Sequence, residues 1–130
     1  MINAPKEYSS QLRIWQENVN TSDITQHGSL NTRAYDEYNV IAFQEPYIDF
    51  LGNTRASHDW HVLYPSTHLS SNEPKRSVLL IRSNLLSCSW RQIEFPSNDV
   101  TVVQFMGDFG ILTLFNIYND CNHRRTLNTL

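Results

Sequence analysis

The chain has 130 residues, enough for one domain of ordinary size and for a core that needs no covalent staples. Hydrophobic residues make up 40% and charged residues 18%, which excludes a disordered polymer, and a formal net charge of −3 supplies no general attraction to nucleic acid. Cys88 and Cys121 are too few and too far apart for a disulfide framework or a zinc site, so a reducing compartment is expected. No run approaches the roughly 18 apolar residues needed to span a membrane. The start, Met1-Ile2-Asn3-Ala4-Pro5-Lys6-Glu7, has no apolar core of signal-peptide length. A soluble, intracellular protein with no membrane partner is the expectation. The charge is uneven: residues 1–60 hold eight acids against four bases, and residues 61–130 hold five acids against six bases.

In chain order, residues 1–10 are polar and are expected to be disordered, leaving 11–130 as a single unit. Leu12-Arg13-Ile14-Trp15-Gln16-Glu17-Asn18 alternates, with Leu12, Ile14 and Gln16 on one face, which predicts a strand. Asn20-Thr21-Ser22-Asp23 supplies helix-start chemistry, and a first helix is predicted over 23–37 although Gly28 weakens it. Val40-Ile41-Ala42-Phe43 is a short continuous apolar run, the pattern of a strand buried on both faces, and Pro46 ends its ladder. Strand, helix and buried strand make a crossover, so the two strands should be parallel, with Asn18 and Glu45 at the same C-terminal sheet edge. Further strands are predicted at 60–64, 77–81, 87–95, 100–106 and 111–118. The last two are joined by Gly107-Asp108-Phe109-Gly110, which has hairpin composition. Asn119-Asp120-Cys121-Asn122 precedes a helix start at 123–130, where the sequence stops.

Three strand ends carry chemistry. Glu45, fixed by the following proline, is the kind of single carboxylate a hard cation such as Mg²⁺ accepts while keeping water for a substrate. Asn18 brings a neutral amide oxygen beside it. Tyr118 brings a phenol that can hydrogen-bond a phosphate oxygen or a developing negative charge. Each residue alone has a plainer role as strand end, turn former or sheet aromatic; their occurrence together favours a site.

Four motifs run in order over most of the chain: Trp15-Gln16-Glu17-Asn18, Ile41-Ala42-Phe43-Gln44-Glu45-Pro46-Tyr47, Arg76-Ser77-Val78-Leu79-Leu80-Ile81 and Asn116-Ile117-Tyr118-Asn119-Asp120. Together they resemble the endonuclease/exonuclease/phosphatase superfamily, which includes deoxyribonuclease I, and most closely the endonuclease domain of fungal non-LTR retrotransposons. The resemblance implies an α/β fold, a partial four-layer α/β sandwich representing the N-terminal half of the domain. It also implies Mg²⁺-assisted attack of water on a phosphodiester, with DNA as substrate and a nuclear setting. By resemblance Glu45 and Asn18 fall at metal positions, Asn18 and Tyr118 at catalytic ones, and Arg76 is a candidate nucleic-acid contact.

The family's Gly-Asp-Phe-Asn, its later Asp and its Ser-Asp-His should follow Tyr118, and residues 119–130 contain none of them. Gly107-Asp108-Phe109-Gly110 precedes Tyr118 and reads as a turn. The expectation is a chain without nicking activity, either an endonuclease fragment or a non-catalytic interaction or nucleic-acid-binding module. DNA is its partner only once the missing half is supplied, and the uncovered sheet face is a candidate for self-association. A complete phosphatase or abasic-site nuclease with its other half absent is the remaining alternative.

Overall fold

The structure, a computed structural model, describes residues 12–30, 37–68, 73–85 and 88–119. Strands β1 (Ile14–Asn18), β2 (Val40–Gln44), β3 (Trp60–Leu63) and β4 (Ser77–Arg82) form one sheet in the order β1-β2-β4-β3. Strands β5 (Cys88–Ile93), β6 (Val100–Gly107) and β7 (Gly110–Ile117) form a second, antiparallel sheet in the order β5-β6-β7. One helix, α1 (Asp23–Leu30), connects β1 to β2, which pair in parallel as the crossover pattern predicts.

Every predicted strand is present with ends shifted by at most two residues. The helix predicted over 23–37 is shorter in its described part. It ends at Leu30, residues 31–36 lie outside the described residues, and 37–39 are not α-helical. The helix start at 123–130 and the disordered segment at 1–10 also lie outside them. Gly107-Asp108-Phe109-Gly110 is a two-residue hairpin loop, with Gly107 opposite Gly110 and Gly110 at φ +97°, a conformation glycine takes without a Cβ clash.

The pleat of β2 and β4 sorts their side chains into two cores. Ile41, Phe43, Val78 and Leu80 face one way and pack with Val19 and Trp60. Leu30 at the end of α1 lies against this cluster, so the helix covers that face. Val40, Ala42, Leu79 and Ile81 face the other way and meet Val103 and Phe105 of β6. Leu12 and Ile14 pack there too. The layers are therefore helix, mixed sheet and antiparallel sheet, three layers of a four-layer α/β sandwich. Because β2 is buried at all five positions, its sequence is a continuous apolar run where a half-exposed strand would alternate.

The outer face of the second sheet presents Met106, Ile111 and Phe115 to solvent. Among the described residues no helix covers it. No described helix is long and apolar enough to cross a membrane.

Phe105 is wholly buried between the sheets. Phe105→Ala is expected to destabilise the fold by about 3–5 kcal/mol, read as a lowered denaturation midpoint, since both the transfer and the cavity contributions are lost.

Candidate functional site at one sheet edge

The β1–β2 register sets Asn18 level with Gln44, and the β2–β4 register sets Gln44 level with Ser77. The C-terminal ends of β1 and β2 and the start of β4 thus form one edge. Backbone hydrogen bonds lock it: Val19 N donates to Gln44 O at 3.1 Å, Thr21 N to Glu45 O at 2.7 Å and Glu45 N to Arg76 O at 2.9 Å. Asn20, Thr21 and Glu45 have φ of 51°, 58° and 48°, the left-handed region that side chains disfavour. Among the described residues these three are the non-glycine positions with positive φ, and all lie at this edge. Strain of this kind persists only where surrounding contacts over-determine it, and it concentrates at functional sites.

Alternation along β1 and β2 sends Gln16 and Gln44 toward the second sheet, where Asn116 of β7 faces them. Gln16 Nε2 donates to Gln44 Oε1, and Gln44 Nε2 donates to Asn116 Oδ1. Asn116 Nδ2 in turn donates to Phe43 O at 2.9 Å and Val78 O at 2.7 Å, carbonyls of two strands in the facing sheet. Ser77 Oγ donates to Asn116 O at 2.7 Å, and Thr101 Oγ1 donates to Ser77 O at 3.0 Å. Gln44, Asn116, Ser77 and Thr101 are all buried, so each of these polar groups needs the partner it has.

Beside this chain of amides, Arg76 grips Asp99 with two bonds, Nε to Oδ1 at 2.8 Å and Nη2 to Oδ2 at 3.1 Å. The Asp99 side chain is 8% exposed, and its backbone carbonyl accepts from Tyr118 N at 2.8 Å. The Arg76 guanidinium lies 4.9 Å from the centre of the Tyr118 ring. Tyr118 is thus held by its backbone and across its ring face by the same ion pair.

Two cavities open along this edge. One, of about 500 Å³, is lined by Gln16, Asn18, Gln44, Asn116, Tyr118 and Asn119 among others. The other, of about 700 Å³, is lined by Thr21, Glu45, Tyr47, Asp49, Glu73 and Arg76 among others. Asn18 and Tyr118 therefore share a cavity, while Glu45 lines its neighbour; Arg76 joins the two by lining one and stacking on Tyr118 in the other. Asn18 Oδ1 accepts from Asn20 N at 2.9 Å, which commits one of its lone pairs to the turn. Among the described residues no three His, Cys, Asp or Glu side chains gather as a metal cluster. His58 and Asp59 do pair, at 3.6 Å, but just ahead of Trp60, which pairs with Arg82 at the opposite end of the sheet.

The wall of the Glu45 cavity is a braced loop. Ile48 and Thr54 form a bridge, and Asp49 folds the tip by accepting from Leu51 N at 2.9 Å and Asn53 N at 3.0 Å. Gln26, wholly buried on α1, anchors the base: its Nε2 donates to Thr54 Oγ1 and Arg55 O, both at 2.7 Å, and its Oε1 accepts from Tyr47 N at 2.9 Å. This polar anchor explains why α1 carries so few apolar residues. Thr54 N donates to Tyr64 OH at 3.0 Å, and His68 stacks on the Tyr64 ring at 4.2 Å. Burial raises the Tyr64 phenol, although the Thr54 bond opposes it and the Asp49 charge adds to it. Burial, and then the Lys75 charge, lowers His68 below its ordinary value of 6.5, and its Nδ1 is buried with no partner among the described residues.

No family model and no curated protein matches the sequence. Among solved structures, the endonuclease domain of TRAS1, a telomere-specific non-LTR retrotransposon, matches with a TM-score of 0.63 over 85% of this chain, at 14% identity. The chain shares its fold with part of that domain. The chain spans 45% of the TRAS1 domain's length. The shared fold places the strand-end residues Asn18, Glu45 and Tyr118 along one edge, and it adds residues that their types alone did not single out: Gln16, Asn116, Asp99 and Gln26. Gln44 and Asn116 stood inside the quoted motifs, and a buried amide at the end of an apolar strand was the available signal.

Gln44→Leu leaves Asn116 Oδ1 and the Gln16 amide unmatched, so a loss of about 1–3 kcal/mol is expected in chemical denaturation. Asn116→Leu should cost more, because Phe43 O and Val78 O also lose their donor. For His68, the unfolded chain binds the proton more readily than the folded chain. Stability should therefore fall as pH drops below about 6.5, the ordinary histidine value. Melting curves at pH 7.5 and 5.5 should show a smaller fall for His68→Phe, which keeps the stacking on Tyr64 and removes the titrating ring.

Proposed function

We propose that this chain carries the cation- and phosphate-binding half of a metal-assisted phosphodiesterase that cuts DNA, and that by itself it does not turn over. The reading rests on one observation. A carboxylate, a neutral amide and a phenol held by an arginine stand along one strained edge of a fold shared with a retrotransposon endonuclease domain. One carboxylate with neutral oxygens suits Mg²⁺, which keeps several waters and takes few protein ligands. Glu45 would hold the ion, with Asn18 acting through water from the adjoining cavity. Bound there, the ion would polarise the phosphate and lower the pKa of attacking water.

The chain's own residues orient the substrate. Tyr118 is positioned by Arg76 and Asp99 to hydrogen-bond a phosphate oxygen. Arg76, already bound twice by Asp99, serves nucleic acid through Tyr118 more than by direct contact. No histidine–carboxylate pair among the described residues stands at this edge to act as a general base. Among the described residues the His58–Asp59 pair belongs to the far end of the sheet, and water activation without a base forfeits about 10²–10⁴-fold in rate. Within a retrotransposon protein such a unit would work on chromosomal DNA in the nucleus.

A second reading has its own observation. Among the described residues Met106, Ile111 and Phe115 form an exposed apolar face, which would suit a non-catalytic module that associates with a second copy.

Mn²⁺ titration followed by electron paramagnetic resonance should show one weak site that Glu45→Ala removes; equal binding by both proteins would refute the assignment. With supercoiled plasmid and Mg²⁺, nicking by the chain should not exceed background. Nicking that vanishes in Glu45→Ala would show instead that the chain is a complete enzyme.

A further inference from the structure

Phe50 is 95% exposed and Leu51 is 69% exposed, on a loop whose backbone is otherwise held at every turn. Gly52 N donates to Asp49 O at 3.0 Å, Asp49 N to Asn53 O at 2.8 Å and Thr54 Oγ1 to Tyr47 O at 2.6 Å. Gly52, at φ +85°, turns the tip, with His68 lying against it. The bracing reaches back through Gln26 to α1 and through Tyr64 to the end of β3. A loose loop would fold such side chains onto the protein surface; this one presents an aromatic and an aliphatic side chain outward on a fixed base. Their position beside Glu45, Lys75 and Arg76, in the wall of one cavity, sets them next to the proposed phosphate position.

We propose that Phe50 and Leu51 form a wedge that enters a groove of duplex DNA and loosens the base step beside the phosphate that a cation at Glu45 would hold. The inference rests on the nuclease reading above. Duplex DNA fits this tip better than a protein partner does. Two side chains offer far less than the roughly 800 Å² per partner of a stable protein interface, yet they match the apolar pairs that proteins insert between base steps. The charge balance sets how such binding would depend on salt. A chain of net charge −3, with Glu45, Asp49 and Glu73 facing Lys75 and Arg76 in this cavity, gains little from counterion release. Apolar insertion then carries a larger share of the affinity, and the salt dependence is shallow.

The test uses the full chain and a short duplex bearing one 2-aminopurine, with Ca²⁺ present so that a cation is available at Glu45. The expected result is binding by anisotropy with a log–log salt slope no steeper than about −1, since of the two cations lining this cavity Arg76 is already bound to Asp99. A rise in 2-aminopurine fluorescence should accompany it as the step unstacks. Phe50→Ala should weaken binding about ten-fold and remove the rise, whereas Phe50→Trp should retain both. Melting temperatures should match throughout, because the side chain lies in solvent. Parental affinity and an unchanged signal in Phe50→Ala would overturn the wedge, and Mn²⁺ binding at Glu45 would then still support the nuclease reading. A parent that binds no duplex would overturn the wedge as well, and Mn²⁺ binding at Glu45 would again decide the nuclease reading. A dimer that dissolves on Phe50→Ala would assign the tip to a second copy and overturn the wedge as well.

Discussion

The carboxamide of Asn116 is the joint between the two sheets at the end where Asn18, Glu45 and Tyr118 lie. Its nitrogen bonds to carbonyls on β2 and β4, its oxygen accepts from Gln44, and its own backbone carbonyl is held by Ser77. Sheets packed only by apolar contact can slide by small amounts at little cost, since such contact has no direction. A buried amide with every bond made fixes both distance and angle, because any shift strands a donor or an acceptor in a low-dielectric interior. The interior between the sheets is apolar along most of its length, from Ile81 to Phe105, and turns polar only at this edge. That change of character allows Tyr118, two residues beyond Asn116, to stand at a defined place relative to Asn18.

Arg76 and Asp99 extend the joint sideways. Burying this pair costs solvation, and only good geometry offsets it. Here the geometry is two parallel bonds with the ring of Tyr118 stacked above. Basic residues near an acidic cleft invite assignment as phosphate contacts, yet the Arg76 guanidinium already serves a carboxylate and an aromatic ring. The network gives it a positioning role: it holds the Tyr118 ring in place.

Much of the fold was legible in the sequence because pattern and burial agree. Val40–Gln44 reads as buried on both faces and is; Leu12, Ile14 and Gln16 read as one face, and the first two lie in the inter-sheet core. The parallel crossover and the 107–110 hairpin followed from connection length and glycine placement. The helix was less legible, since α1 docks through Gln26, whose amide looks like a solvent residue until Thr54 and Tyr47 are seen around it. The edge shared by Asn18 and position 44 could be inferred from strand direction alone. The division into two cavities could not: proline at 46 predicts an extended Glu45, whereas Glu45 turns left-handed at φ 48° because its N–H and carbonyl are both taken by bonds across the edge. Long-range pairs such as Gln44 with Asn116 or Arg76 with Asp99 leave no periodic trace.

The left-handed backbone at Glu45 also carries a cost. An ordinary L-residue in that conformation costs roughly 1 kcal/mol or more, a penalty that glycine escapes and asparagine partly escapes. Thr21, joined to Glu45 by a backbone bond, is in the same position and is β-branched besides. Glycine or asparagine at either site would relieve that cost, so glutamate at 45 stands against the preference of the backbone that carries it.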